Sequence, residues 1–306
     1  MSCTTYKTGV RIALISAVCF ALSNVFAGLA YTGGSTPLTL SATRFFLPAV
    51  ILLILLWAQK NALVMPRRPG GIAIILGVVT ILYTLALLTS IERLPVPIAI
   101  LIFYLFPIFT GVILTLTGWG KFNTTKIIGA LIAFAGLALT LGVSFEQLDG
   151  LGMVLAGLAA VGLATVSSVS SRLIKDEDPR QATLYMAGTA LLVMIFVMLI
   201  RNEFDLPVNT DGWIGFILSN IFYAAAMIGF FYAISMTGAG ATTFFSNLEP
   251  LVVTGAAFLF LGQTLLPLQL LGVLIVVGAL IFYARSDSHQ ATEKSDNKPF
   301  QTTIIQ

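Results

Sequence analysis

Apolar residues run along this chain in blocks of about twenty, long enough for each to cross a ~30 Å hydrocarbon layer as a helix. Ten such blocks are separated by short polar breaks, at roughly 10–31, 36–58, 71–91, 95–117, 126–144, 151–174, 182–200, 213–236, 242–262 and 267–284. None shows the period-two alternation of an outer-membrane barrel strand. The pattern therefore predicts an all-α membrane protein of ten transmembrane helices. From Arg285 onward the chain is polar and without periodicity, so 285–306 is expected to be a disordered cytosolic tail.

Ten spans divide into two sets of five, 1–146 and 147–284. Five is odd, so a second copy of a five-helix unit enters the membrane upside down, as an inverted repeat. Internal matches support this. With a shift of 143 residues Pro107 falls on Pro250 and Gly129 on Gly272; with a shift of 142 Pro37 falls on Pro179. Proline removes a backbone hydrogen bond and bends a helix, so Pro107 and Pro250 are expected to act as paired hinges in spans 4 and 9.

Composition agrees with lipid as the solvent. Hydrophobic residues make up 58% of the 306, and charged residues only 9%, against about 25% charged in a soluble domain. Charge placement adds an orientation. With the N-terminus in the cytosol, Lys7, Arg11, Lys60, Arg67, Arg68, Lys121, Lys126, Arg172, Lys175, Arg180, Arg285, Lys294 and Lys298 lie inside. Only Arg93 and Arg201 lie outside. That asymmetry is what orients helices in a membrane. It predicts a multi-pass protein of the cell inner membrane with both termini cytosolic, and it makes the net charge of +3 no sign of nucleic-acid binding.

Two ionisable residues remain at membrane depth, Arg44 in span 2 and Glu249 in span 9. Such residues face a bundle interior or a solute pathway and cost at least ~3 kcal/mol to insert. At 1.5 Å per residue they sit ~8 Å apart in height, a distance that a small zwitterion could bridge. Arg44 would meet a carboxylate through its fork of donors. Glu249 would meet an amine, or exchange a proton as the coupling site. A structural ion pair is the alternative for both. Asn24 and Asn247 are bare amides in lipid and need partners, and the aromatic residues Tyr83, Phe103, Tyr104 and Phe245 lie near the same depth. Apolar rings with a few polar groups make an ordinary small-molecule site. The substrate-binding set is therefore expected to be Arg44, Glu249, Asn24, Tyr83, Tyr104, Phe103, Asn247 and Phe245. Small residues along span 5 (Ala130, Ala133, Gly136) suit close helix packing, within the chain or in a homodimer. The protein is accordingly read as a monomer or a homodimer.

No G-x-x-x-x-G-K-[ST] is present, so nothing in the chain points to an ATP-driven pump. His289, the only histidine, lies in the tail, and no H-E-x-x-H occurs. The sole acidic cluster, Asp176-Glu177-Asp178, reads as a solvated turn. No enzyme activity, cofactor or metal is expected.

The chain resembles the drug/metabolite transporter superfamily, in its EamA branch. The resemblance rests on ten spans in two five-helix halves, Arg44 in span 2, Leu248-Glu249-Pro250 in span 9, Leu261-Gly262-Gln263 closing that span, and the stretch from Ile98 to Pro107. Both halves of the family often end this motif with Gly-Glu; here the positions read Gly120-Lys121 and Gly262-Gln263, so no carboxylate role exists there. The resemblance implies a cavity between the halves, with spans 5 and 10 peripheral. It also implies secondary transport by alternating access, with export of an amino acid or similar small metabolite favoured and a proton as a candidate coupling ion. Import of a vitamin, nucleoside or other small metabolite on the same fold is the alternative.

Overall fold

The computed structural model describes residues 3–60, 63–120, 124–142, 148–202, 204–261 and 266–296. Among them the chain is helical throughout, without strands. Its helices are α1 (Cys3–Thr32), α2 (Pro37–Arg44), α3 (Phe46–Ala58), α4 (Arg67–Arg93), α5 (Val96–Phe103), α6 (Phe106–Leu116) and α7 (Thr124–Thr140). The second half supplies α8 (Gly150–Asp176), α9 (Pro179–Arg201), α10 (Thr210–Thr237), α11 (Ala239–Phe245), α12 (Leu248–Leu261) and α13 (Pro267–Asp296). Eight segments of the described residues are long and apolar enough to cross a membrane, and Ile127–Thr140 is a shorter apolar helix. The pair α11–α12 occupies the place of the ninth predicted span.

Three of the predicted spans are broken rather than continuous. α2 gives way to α3 at Phe45, α5 to α6 at Tyr104-Leu105, and α11 to α12 at Ser246-Asn247. Each break has a proline close behind it: Pro48, Pro107 and Pro250. These prolines have no N–H for the carbonyls of Arg44, Phe103 and Ser246, which would be their helical partners. The turns tighten at the breaks instead, with Leu105 N–H bonded to Ile102 O at 3.1 Å and Asn247 N–H to Phe244 O at 3.2 Å. Spans 4 and 9 thus carry matched breaks, just ahead of Pro107 and Pro250. The break in span 2 has no counterpart in span 7, where α9 runs unbroken.

The helices pair across the two halves. α1 lies along α10, α4 along α8, α7 along α13, and α3 against α9. Exchanging the halves maps this set of pairs onto itself. With an odd number of spans in each half, the exchange also inverts direction, which is the geometry of an inverted repeat. The close approaches fit antiparallel packing. A Cβ on Gly33, just past the end of α1, would lie 2.4 Å from Gly212 Cα at the start of α10. A Cβ on Gly272 of α13 would lie 2.5 Å from the carbonyl oxygen of Gly136 on α7. Of the small residues of span 5, Ala133 is fully buried and Gly136 packs against α13, so both are used inside the chain.

Capping residues start the helices at both faces. Asp149 accepts from Gly152 N–H at 2.6 Å, Asn209 from Gly212 N–H at 2.7 Å, and Asp178 from Arg180 N–H at 2.8 Å. These satisfy backbone donors that the first turn leaves without helical partners. Trp57, Leu116, Leu199 and Leu259 point outward, as lipid-facing side chains do. One prediction needs correction. The last helix does not end at 284 but continues to Asp296. No proline or glycine occurs between residues 279 and 296 to stop it, so polar residues extend the helix beyond the apolar span. Residues 297–306 of the expected tail, the 146/147 boundary, Lys121 and the Gly262-Gln263 pair lie outside the described residues.

Candidate functional site

A cavity of about 470 Å³ lies between the halves. Its wall draws on α1 (Phe20, Asn24, Tyr31), the α2–α3 break (Ser41, Arg44, Phe45) and one face of α4 (Thr80, Tyr83, Thr84, Leu87). It continues through α5 and its break (Ile100, Phe103, Tyr104), α10 (Tyr223, Met227, Phe230) and the start of α12 (Glu249, Pro250, Val253). Lining residues reach Tyr31 near the end of α1, Ile91 near the end of α4 and Val96 at the start of α5. All three lie at one face, so the cavity opens there. Phe106, Met227, Phe230 and Phe231 also line it.

Arg44, Asn24, Glu249 and Tyr104 on this wall form one connected chain. Arg44 sits at the last residue of α2, where the helix breaks. Its Nη2 donates to Asn24 Oδ1 at 3.4 Å and to Ser219 Oγ at 3.2 Å. Asn24 Nδ2 in turn donates to Glu249 Oε1 at 2.8 Å, and the Tyr104 hydroxyl is hydrogen-bonded to the same carboxylate. Guanidinium groups only donate and carboxylates only accept. An amide turned with oxygen toward Arg44 and nitrogen toward Glu249 is therefore the orientation that satisfies both. The ring of Tyr223 lies under the guanidinium, 5.3 Å from Cζ to the ring centroid, within cation–π range. Arg44 Nε is buried without a hydrogen-bond partner.

Of the expected site residues, Asn24, Arg44, Tyr83, Phe103, Tyr104 and Glu249 meet on this wall, with Pro250 beside them. Tyr83 and Phe103 stack at 6.4 Å between centroids, and Phe103 meets Tyr104 edge-on at 5.9 Å. Three residues are elsewhere. Asn247 is buried, and its amide donates back to Phe244 O at 2.7 Å, inside its own break. Phe245 packs edge-on against Tyr283 at 5.8 Å in the core. Pro107 lies buried in the first turn of α6, behind the wall. Of the α4 face, Tyr83 was expected on the wall from the sequence, but Thr80 and Thr84 were not. Nor was Ser219 singled out, since a serine bonded to another helix looks in sequence like one bonded to its own turn.

Relatives agree with this architecture. The model of the EamA-like transporter family matches the chain twice, at residues 7–142 and 150–285. A protein from Synechocystis sp. named as an uncharacterized transporter is 24% identical over 328 residues, covering 95% of this chain and 97% of its own length. A protein crystal structure with 16% identity superposes with a TM-score of 0.76, covering 93% of this chain and 99% of its own, and shows the same fold. With one family match in each half and a membrane-spanning helical fold around a central cavity, the chain belongs to the EamA-like transporter family.

Proposed function

We propose that the protein is a secondary active exporter of a small zwitterionic metabolite, such as an amino acid, working by alternating access. One observation carries the reading. A donor-only cation and an acceptor-only carboxylate, joined by Asn24, share a wall that is mostly aromatic and aliphatic. A substrate carboxylate would take the free edge of Arg44, and its ammonium group would replace the Asn24 amide at Glu249. Rings from Phe103, Tyr104 and Phe230 would receive the apolar part. A volume of about 470 Å³ suits a molecule of this size. Glu249 also carries the proposed coupling to protons, because it can exchange a proton with the open side of the cavity. The charge asymmetry supports an inner-membrane protein with cytosolic termini, and the cavity mouth then faces outward.

The test is counterflow into proteoliposomes preloaded with single amino acids, run on the wild type and on Glu249→Gln. Saturable exchange of a zwitterion, lost in Arg44→Ala, is the expected result. Glu249→Gln should weaken that exchange, since a neutral amide no longer pairs with the ammonium group, and should lose net movement driven by a pH gradient. Full pH-driven transport in Glu249→Gln would end the coupling role. Exchange of uncharged solutes alone would end the zwitterion reading.

A further inference from the structure

We infer that Ser219, which does not line the cavity, is a positioning residue that holds the Arg44 guanidinium from behind; this rests on the reading of Arg44 as a substrate ligand. Ser219 is fully buried in α10. Its hydroxyl donates to the carbonyl of Ser23 on α1 at 2.8 Å, and Ser23 Oγ donates back to the carbonyl of Ser219 at 2.9 Å. The two hydroxyl oxygens lie 3.3 Å apart. Whether the Ser219 proton points to the carbonyl or to the hydroxyl of Ser23, it is committed to α1. A serine has one proton and two lone pairs, so toward Arg44 it can only accept. That suits the 3.2 Å contact with Arg44 Nη2.

One turn further along α10, the Tyr223 ring carries the flat face of the same guanidinium. Tyr223 is fixed in its turn by edge-on contacts with Phe20 and Phe45, each at 5.7 Å. Two residues four apart on α10 thus form a cradle. Arg44 needs one, because it ends α2 at a break. A fork fixed before the substrate arrives binds an anion without first being ordered. The Ser23–Ser219 pair also sets the register of α1 beside α10, and Asn24 follows Ser23 directly. The same contact therefore aims both Arg44 and the amide that bridges it to Glu249.

The experiment measures modification of Arg44 by phenylglyoxal, followed by mass spectrometry on the full-length protein in nanodiscs. This readout is independent of any substrate. Ser219→Ala should raise the Arg44 modification rate about tenfold, as expected on losing one hydrogen bond to a charged group. Ser219→Thr, which keeps the hydroxyl, should restore the slow rate. Ser23→Ala removes only the return bond to the Ser219 carbonyl and leaves Ser219 donating to the Ser23 carbonyl and accepting from Arg44, so its rate should stay within about twofold of wild type. If Ser219→Ala does not fold, Ser219→Cys retains the volume with a weak acceptor and should give a rise of at least about threefold. Equal rates in Ser23→Ala and Ser219→Ala, or no rise in Ser219→Ala or Ser219→Cys, would overturn the positioning role. A rise in modification together with unchanged amino-acid exchange in Arg44→Ala would instead keep the cradle and refute the substrate role of Arg44.

Discussion

Asn24 solves a problem of valence. Arg44 and Glu249 offer complementary charges, yet the residue between them is a neutral amide bonded to each. An amide presents one acceptor and one donor group in a plane, which makes it a bridge that a substrate's own charges can displace. Replacing it with an apolar side chain of similar size removes both bonds without adding charge. In Asn24→Leu, exchange of the transported zwitterion should fall at least about tenfold, while membrane levels stay near wild type because the residue faces the open cavity. Wild-type exchange in that variant would remove Asn24 from the site. At this scale much was legible in advance. Arg44, Glu249 and Asn24 stand out because charges and amides in lipid must find partners. Asn247 looked equivalent but spends its amide on the Phe244 carbonyl at 2.7 Å. A donor's partner inside its own turn cannot be told from one across the bundle by residue type alone.

At the scale of elements, apolar block length located the membrane segments, while the breaks within them depended on proline position. The breaks at Tyr104-Leu105 and Ser246-Asn247 were foreseeable from Pro107 and Pro250. That at Phe45 follows the same rule through Pro48, but it lacks a repeat partner and so escaped a reading based on matched positions. Pro250→Ala would return an N–H to the Ser246 carbonyl and favour a straight helix. It is expected to leave thermal stability unchanged or higher and to slow transport, since Glu249 would turn relative to the cavity; a variant with unaltered rates would mean that the bend is not used. The start of α9 offers a second check. Asp178 accepts from Arg180 N–H, and its carboxylate pairs with the Arg180 side chain at 2.6 Å. Arg180 also reaches Gln59 in the loop after α3. The hydrogen bonds from Arg180 hold the Asp178 carboxyl below its ordinary value, against the opposing effect of burial. A group depressed in the folded state stabilises above its unfolded pKa and loses that contribution as pH falls through the folded value. Asp178→Ala should therefore cost about 1 kcal/mol at neutral pH. The difference in melting temperature from wild type should vanish in acid. A pH-independent difference would show that the charge contributes nothing.

For the whole molecule, the decisive feature is that helices seek partners in the opposite half. Two sets of five spans were legible from block count and charge placement, and the central cavity from the family resemblance. Which helix lies on which was not, because pairing rests on close approaches such as Gly33 to Gly212 that no single segment displays. Reporter fusions at Gln147 and at the C-terminus should lie on opposite sides of the membrane; the same side for both would refute the inverted arrangement. The pairing of α1 with α10 and of α4 with α8 also bears on biogenesis. When the ribosome has delivered only the first half, α1 and α4 have no companions, and Arg44 and Asn24 wait in lipid without Ser219 or Glu249. The nascent half must be sheltered by the insertion machinery until its companion emerges. Residues 1–146 expressed alone should be cleared by quality-control proteases within minutes, and co-expression of 147–306 should rescue them; a long-lived, compact N-terminal half on its own would show that the first five spans mature independently.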